Sequence, residues 1–193
     1  MSDQLISIIY RFVQPEIAIA SGAESFETMR KLHRISVKLC VLVSLVAGIV
    51  LVTIGTRFYS IWTLGRFRPD YGLIFLFLAG TIIRSIWYTS AMVVSGLNRH
   101  TSMAVFFFSV TVLSLGVGVF LARSTGSLLS VAAATLLADI SLLWYVPRRA
   151  LALTQDRPII FFGSFFLSDD YLLIFRTSLK LLHLNKSVAA IRA

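Results

Sequence analysis

The chain has 193 residues, with 18 basic and nine acidic side chains and a formal net charge of +9. It is 57% hydrophobic and only 14% charged, with a mean hydropathy of +0.84. Soluble domains are about 25% charged, so a soluble core of this size could not bury so much apolar surface. The composition therefore predicts an all-α integral membrane protein.

Residues 1–38 mix polar and apolar side chains and are predicted to form an amphipathic cytoplasmic lead-in that is helical. The first apolar patch is too short for the core of a signal peptide, so the chain is expected to insert through its own spans. The one cysteine, Cys40, permits no internal disulfide and is predicted to be a buried thiol.

Four apolar runs approach the roughly 20 residues that a helix needs to cross a bilayer. Helix is the expected structure because a lone membrane strand would leave its backbone groups unpaired. The predicted spans form one bundle, 39–146, and are residues 39–56, 71–97, 103–122 and 128–146. The turns between the last three spans are short, which predicts antiparallel neighbours. Pro147 falls just outside the fourth run, as a helix-ending residue should.

The segment after the fourth span, 147–193, is predicted to be a cytoplasmic linker followed by an interfacial amphipathic tail. Asp169 and Asp170 interrupt its apolar stretch, and two acids at mid-depth in a membrane would be costly. We therefore expect an interfacial helix from about 171 to 184. A fifth span is the alternative.

The basic residues flank the apolar runs and do not gather on one face. This pattern argues against a nucleic-acid partner and favours contact with membrane lipids. Of the lysines and arginines that flank the spans, nine lie on the same side as the N-terminus and residues 147–158. Four lie on the opposite side. The positive-inside rule then predicts a cytoplasmic N-terminus.

No sequence pattern points to catalysis. His33, His100 and His183 are far apart and match no metal-ligand spacing, so we expect interfacial histidines and no metal. No nucleophile and base recur at a catalytic spacing, and no glycine-rich phosphate loop follows a strand. We therefore expect a protein that is not an enzyme and that needs no cofactor.

Arg84 is the one charge in the second run and lies at its midpoint. An arginine at the centre of a span costs about 2.5–3.5 kcal/mol to insert. Residues 71–97 contain twelve Leu, Ile, Phe or Val residues, which together return roughly 4–7 kcal/mol. The span therefore inserts in spite of its arginine, and the arginine can serve a purpose.

The helical face that carries Arg84 also carries Trp87, Tyr88 and several small side chains, whereas the opposite face is apolar apart from Thr89. We expect Arg84 to face the bundle or a wet cavity. The two aromatic side chains could support it by a cation–π contact or offer a flat surface to a sugar ring. Asp139 lies at a similar depth in the fourth span. The sequence allows two roles for Arg84: it could form a structural ion pair with Asp139, or it could face an anion in a cavity. The two roles are compatible, because a substrate could separate the ion pair.

Four segments carry a family resemblance: QPEIAIASGAESFETMRKLHRISVKL before the first span, FYSIWTLGRF after it, AMVVSGLNRH at the end of the second, and WYVPRRAL after the fourth. Their order resembles the C-terminal portion of polysaccharide flippases of the MATE-like (multidrug/oligosaccharidyl-lipid/polysaccharide) exporter superfamily. The resemblance covers about residues 10–155. Trp62 and Gly65 are further apart than the family pattern often has them, and residues 159–193 do not look like the family.

The resemblance implies a transporter component of the bacterial inner membrane that moves a lipid-linked oligosaccharide for surface polysaccharide biosynthesis. The pyrophosphate of such a substrate is anionic, which would give Arg84 its role. Family members have two lobes, so the resemblance also implies a partial flippase that works with a missing N-terminal lobe or as a homo-oligomer. A drug or cation exporter of the same fold is one alternative. A small membrane interaction protein without transport of its own is another.

Overall fold

The computed structural model describes residues 2–65 and 70–164, and this part of the chain is helical throughout apart from short turns. The helices are α1 (Ser2–Gly22), α2 (Phe26–Val50), α3 (Thr56–Trp62), α4 (Tyr71–Gly96), α5 (Thr101–Thr125), α6 (Leu128–Thr154) and α7 (Pro158–Ser164). A π-helical turn, Leu51–Gly55, joins α2 to α3 without a break. The predicted all-α fold is confirmed.

Among the described residues, four helices are long and apolar enough to cross a membrane. They are Phe26–Trp62, Tyr71–Gly96, Thr101–Thr125 and Leu128–Thr154. Each of the four predicted apolar runs falls on one of these helices. The first and third helices extend beyond their runs at both ends, and the fourth extends beyond its run at the C-terminal end. The described part of the chain therefore has four helices that could cross a membrane.

Pro147 does not end the fourth long helix, contrary to the prediction. Helix α6 continues through it to Thr154. A proline inside a helix removes one backbone hydrogen bond and clashes with the preceding turn, at a cost of about 3 kcal/mol. The neighbouring Val146, Ala150 and Leu151 are buried, and their packing offsets this cost.

Side-chain and glycine caps define two other helix ends. The carboxylate of Asp70 accepts hydrogen bonds from the backbone N–H groups of Gly72 and Leu73 at 2.8 and 3.3 Å, so it caps α4. Helix α5 ends at Thr125, and the residue that follows it, Gly126, has a left-handed φ of 62°. Its N–H donates to the carbonyl of Ala122, as in the common glycine-terminated helix end.

Helix α4 lies at the centre of the bundle, with α6 on one side and α1 and α2 on another, while α5 packs against α6. One buried apolar cluster joins α1, α2, α4 and α6, and it consists of Ile17, Ala20, Met29, Met92, Val93, Val94 and Ala150. A second cluster joins α4 to α6, and it consists of Trp87, Ala91, Leu142 and Val146. The two clusters hold α4 from both sides.

The described residues divide into two units, one ending at Asp156 and the other beginning at Arg157. The described part of the second unit is α7, in which the rings of Phe161 and Phe162 meet edge to face at 5.2 Å. The predicted interfacial helix at 171–184, the acids Asp169 and Asp170, and the choice of a fifth span all lie outside the described residues.

Candidate functional site

Helices α4 and α6 approach closely because small residues line their contact. A Cβ atom added at Gly80 would lie 3.1 Å from a terminal methyl of Leu136 and 3.6 Å from a carboxylate oxygen of Asp139. On the other side of α6, Ala134 is buried and its Cβ lies 3.6 Å from a Cβ built at Gly118 of α5. The alanine-rich start of α6 therefore allows backbones to approach, as such residues do in membrane bundles.

Arg84 and Asp139 meet across this contact. The Nε–H of Arg84 donates to Oδ1 of Asp139 at 3.2 Å, and the Nη2–H donates to Oδ2 at 3.0 Å. This two-pronged geometry is the strongest that a guanidinium and a carboxylate can adopt. The ion pair, which the sequence left open as one of two interpretations of Arg84, is present.

The two side chains of the pair are unequally exposed. The Arg84 side chain is 42% exposed and that of Asp139 is 5% exposed. The carboxylate therefore lies at the back of the site and the guanidinium at its front.

Trp87 makes a hydrogen bond that the sequence did not predict. Its indole N–H donates to Oδ1 of Asp139 at 3.1 Å, so the carboxylate receives three hydrogen bonds in all. The ring itself is buried and packs in the cluster with Leu142 and Val146. Trp87 consequently holds Asp139 in place, and it also lines the cavity between α4, α5 and α6.

Tyr88 lies apart from the ion pair. Its ring meets Trp87 edge to face at 5.8 Å and lies 5.5 Å from the ring of Tyr10 on α1. Of the four predicted site residues, the structure brings Arg84, Trp87 and Asp139 together. Tyr88 links this group to α1.

A cavity of about 500 Å³ opens in front of the pair, between α4, α5 and α6. Its polar lining consists of Arg84, Asp139, Thr111, Ser114 and Thr135, and its apolar lining includes Phe107, Leu115 and Val119. The hydroxyl of Ser114 donates to the backbone carbonyl of Ala134. This volume lies within the 300–1,000 Å³ typical of ligand sites.

Helix α5 contributes side chains to the cavity that were not predicted from the sequence. Thr111, Ser114 and Gly118 recur at helical spacing and mark one face of an otherwise apolar helix. That periodicity could have identified the helix face that closes the cavity.

A second group of polar residues is buried between α2 and α4. His33 is fully buried, and its Nε2 lies 3.1 Å from the hydroxyl of Ser90. The expectation of an interfacial histidine is therefore wrong, because α4 covers this face of α2. Lys38 is also fully buried, and so is Cys40, as predicted.

Two arginines of α2 bind the end of α6. The Nε–H of Arg34 donates to Oδ2 of Asp156 at 2.8 Å, and its Nη2–H donates to Oδ1. One turn earlier, the Nε–H of Arg30 donates to the carbonyl of Thr154 at 2.9 Å. Such contacts satisfy carbonyls at a helix C-terminus, where cations are favourable. These arginines therefore connect helices inside the protein.

No family model, no curated protein and no solved structure matches this chain. The resemblance to MATE-like flippases consequently depends on the four sequence segments alone. What the chain and its fold establish is a helical protein with four helices that could span a membrane.

Proposed function

We propose that this protein is a component of a membrane transporter for a lipid-linked oligosaccharide, and that Arg84 binds the anionic pyrophosphate of that substrate. The observation that carries the proposal is the unequal exposure of the ion pair. A cation that is 42% exposed lines a cavity of about 500 Å³, and its counter-ion is 5% exposed. An incoming anion would thus meet the arginine first.

The chemistry of the pair supports an exchange of anions. A guanidinium offers the same planar fork to a phosphate as to a carboxylate. A pyrophosphate that displaced Asp139 would replace one two-pronged contact by another. The released carboxylate would keep the hydrogen bond from the Trp87 indole, which reduces the cost of leaving it buried.

The apolar lining supports a lipid-borne substrate. Phe107, Leu115 and Val119 provide a surface for hydrocarbon beside the charged group. A drug or cation exporter of the same fold is less well supported, because the acid that would attract a cation is the buried partner and already accepts three hydrogen bonds.

A binding measurement with the purified full chain tests the proposal. The probes are a polyprenyl pyrophosphate and the matching polyprenol, so that they differ only in the anionic group. We expect the wild-type protein to bind the pyrophosphate more tightly. The double variant Arg84→Ala with Asp139→Ala should lose at least about tenfold in affinity for it, a typical loss when a charged contact is removed.

The double variant is the decisive protein because it leaves no buried charge uncompensated. Arg84→Lys should bind with intermediate affinity, since lysine keeps the charge but loses the planar fork. Arg123→Ala, an exposed arginine at the end of α5, is the matched control and should bind like the wild type. Equal affinity of the wild type and the double variant for the pyrophosphate would show that the pair is only structural.

A further inference from the structure

A second cavity, of about 400 Å³, lies at the end of the bundle where four segments meet. It is lined by the end of α1 (Ser21), the start of α2 (Phe26, Met29), the turn after α4 (Leu97, Arg99) and the end of α6 (Ala152, Leu153, Gln155). Among the described residues that line it, Arg99 is the charged one. The cavity is distinct from the Arg84 site, with which it shares no lining residue.

The polar lining residues stand on well-defined helix ends. Asn98 and Gln155 both adopt a left-handed backbone, with φ of 53° and 54°. The N–H of Arg99 donates to the carbonyl of Val94, and the N–H of Asp156 donates to that of Leu151. This closing pattern terminates a helix with a fixed geometry, so the positions of Arg99 and Gln155 are set by the ends of α4 and α6.

This end of the bundle carries an excess of positive charge. Its basic residues include Arg30, Lys31, Arg34, Arg99, Arg148 and Arg149, and its acidic residues include Glu16, Glu24, Glu27 and Asp156. Arg34 and Asp156 neutralise each other, and Arg148 packs over the ring of Trp144 at 4.4 Å. Arg99 is exposed, and the described residues give its guanidinium no hydrogen bond.

The depth of Arg99 identifies the kind of anion that it would meet. If Arg84 marks the bilayer centre, the end of α4 at Gly96 lies about 18 Å further along, at about 1.5 Å per residue, and Arg99 follows in the turn. The hydrocarbon ends about 15 Å from the centre, and the headgroup region extends to about 20–22 Å. Arg99 would thus lie at the level of the lipid phosphates. Gln155, which is separated from Asp139 by a similar number of residues, reaches the same level.

From this placement we infer that the cavity around Arg99 binds the headgroup of an anionic phospholipid. The guanidinium of Arg99 pairs with the phosphate, while Ser21 and Gln155 offer hydrogen bonds to the glycerol portion. Phe26, Met29, Leu97 and Leu153 line the apolar remainder, where the acyl chains begin. The inference requires that the long helices span a bilayer, and it does not depend on the proposed transport function.

Lipid retention by the purified full chain tests this site. The protein is delipidated in neutral detergent and titrated with phosphatidylglycerol or phosphatidylcholine, and bound lipid is counted by native mass spectrometry. We expect the wild type to retain phosphatidylglycerol preferentially. Removal of one basic residue at the headgroup level should weaken that retention about fivefold, so Arg99→Gln should lose most of the preference and Arg99→Lys should keep most of it.

Two control variants distinguish lipid binding at the Arg99 cavity from general attraction of lipid to positively charged side chains. Arg123→Gln removes an exposed arginine from a different helix end and should leave the preference unchanged. The Arg84→Ala, Asp139→Ala double variant should also retain it, since that variant alters only the other cavity.

An Arg99→Gln protein with the wild-type preference would overturn the inference. An equal loss in Arg99→Gln and Arg123→Gln would do the same, because it would indicate general attraction to positive charge. Displacement of the lipid by millimolar glycerol phosphate would identify a soluble phosphate ligand in place of a phospholipid.

Discussion

Asp139 is almost completely buried, whereas Arg84, which neutralises it, is exposed over two-fifths of its side chain. The two residues therefore depend on each other to different degrees. Without Asp139, Arg84 can turn towards the cavity and regain polar contacts. Without Arg84, the carboxylate stays in an apolar contact between two helices, and among the described residues the indole of Trp87 is its remaining donor.

This asymmetry predicts unequal losses of stability. Breaking a buried ion pair by removing one partner costs about 3–5 kcal/mol, and the partial exposure of Arg84 places Arg84→Ala near 3 kcal/mol. Asp139→Ala should cost less, and the double variant should recover most of the loss. Thermal unfolding of the four proteins in detergent measures this cycle. Equal losses in the two single variants would contradict the asymmetry.

Trp87→Phe should destabilise the protein although it preserves most of the ring. The change removes the indole N–H that donates to the Asp139 carboxylate, and hydrogen bonds to charged groups contribute about 1.5–3 kcal/mol. Unfolding measurements check the value. Trp62→Phe is the control, because Trp62 is exposed and a surface change of this kind is expected to remain within about 0.5 kcal/mol.

Gly80→Val should disrupt the packing of α4 against α6. A Cβ at this position already lies 3.1 Å from Leu136, and a branched side chain would force the helices apart at a cost of about 1–3 kcal/mol. Gly116→Val places the same side chain on α5, where nothing lies within 4 Å of the added Cβ. Size-exclusion profiles and unfolding temperatures should separate the two variants, and similar behaviour of both would refute the close-packing interpretation.

Arg34→Gln should weaken the connection between α2 and the end of α6. The Asp156 side chain that it leaves behind is 2% exposed, so we expect a loss of about 2 kcal/mol in the free energy of unfolding. Lys31→Gln, at an exposed position of the same helix, should have little effect. The exchange Arg34→Asp with Asp156→Arg should restore part of the stability, and a full additive loss in that exchange would argue against a direct pair.

Length and hydropathy were sufficient to predict the four long helices, because the ability of a segment to cross a bilayer is a property of that segment alone. The same local information placed Arg84 and Asp139 at matching depths and predicted that they could pair. It did not predict the end of α6, because the burial of Val146, Ala150 and Leu151 around Pro147 depends on how other helices pack against α6.

The partners of each helix face depended on how the helices pack. Helical periodicity assigns His33, Trp87 and Ser114 to faces, but it does not say which helix will cover them. Packing of α4 over α2 buried His33 against Ser90, and packing of α6 over α4 turned the Trp87 indole towards Asp139. The candidate cavity exists because α5 folds back over these helices, and burial of that kind is set by contacts between residues far apart in the sequence.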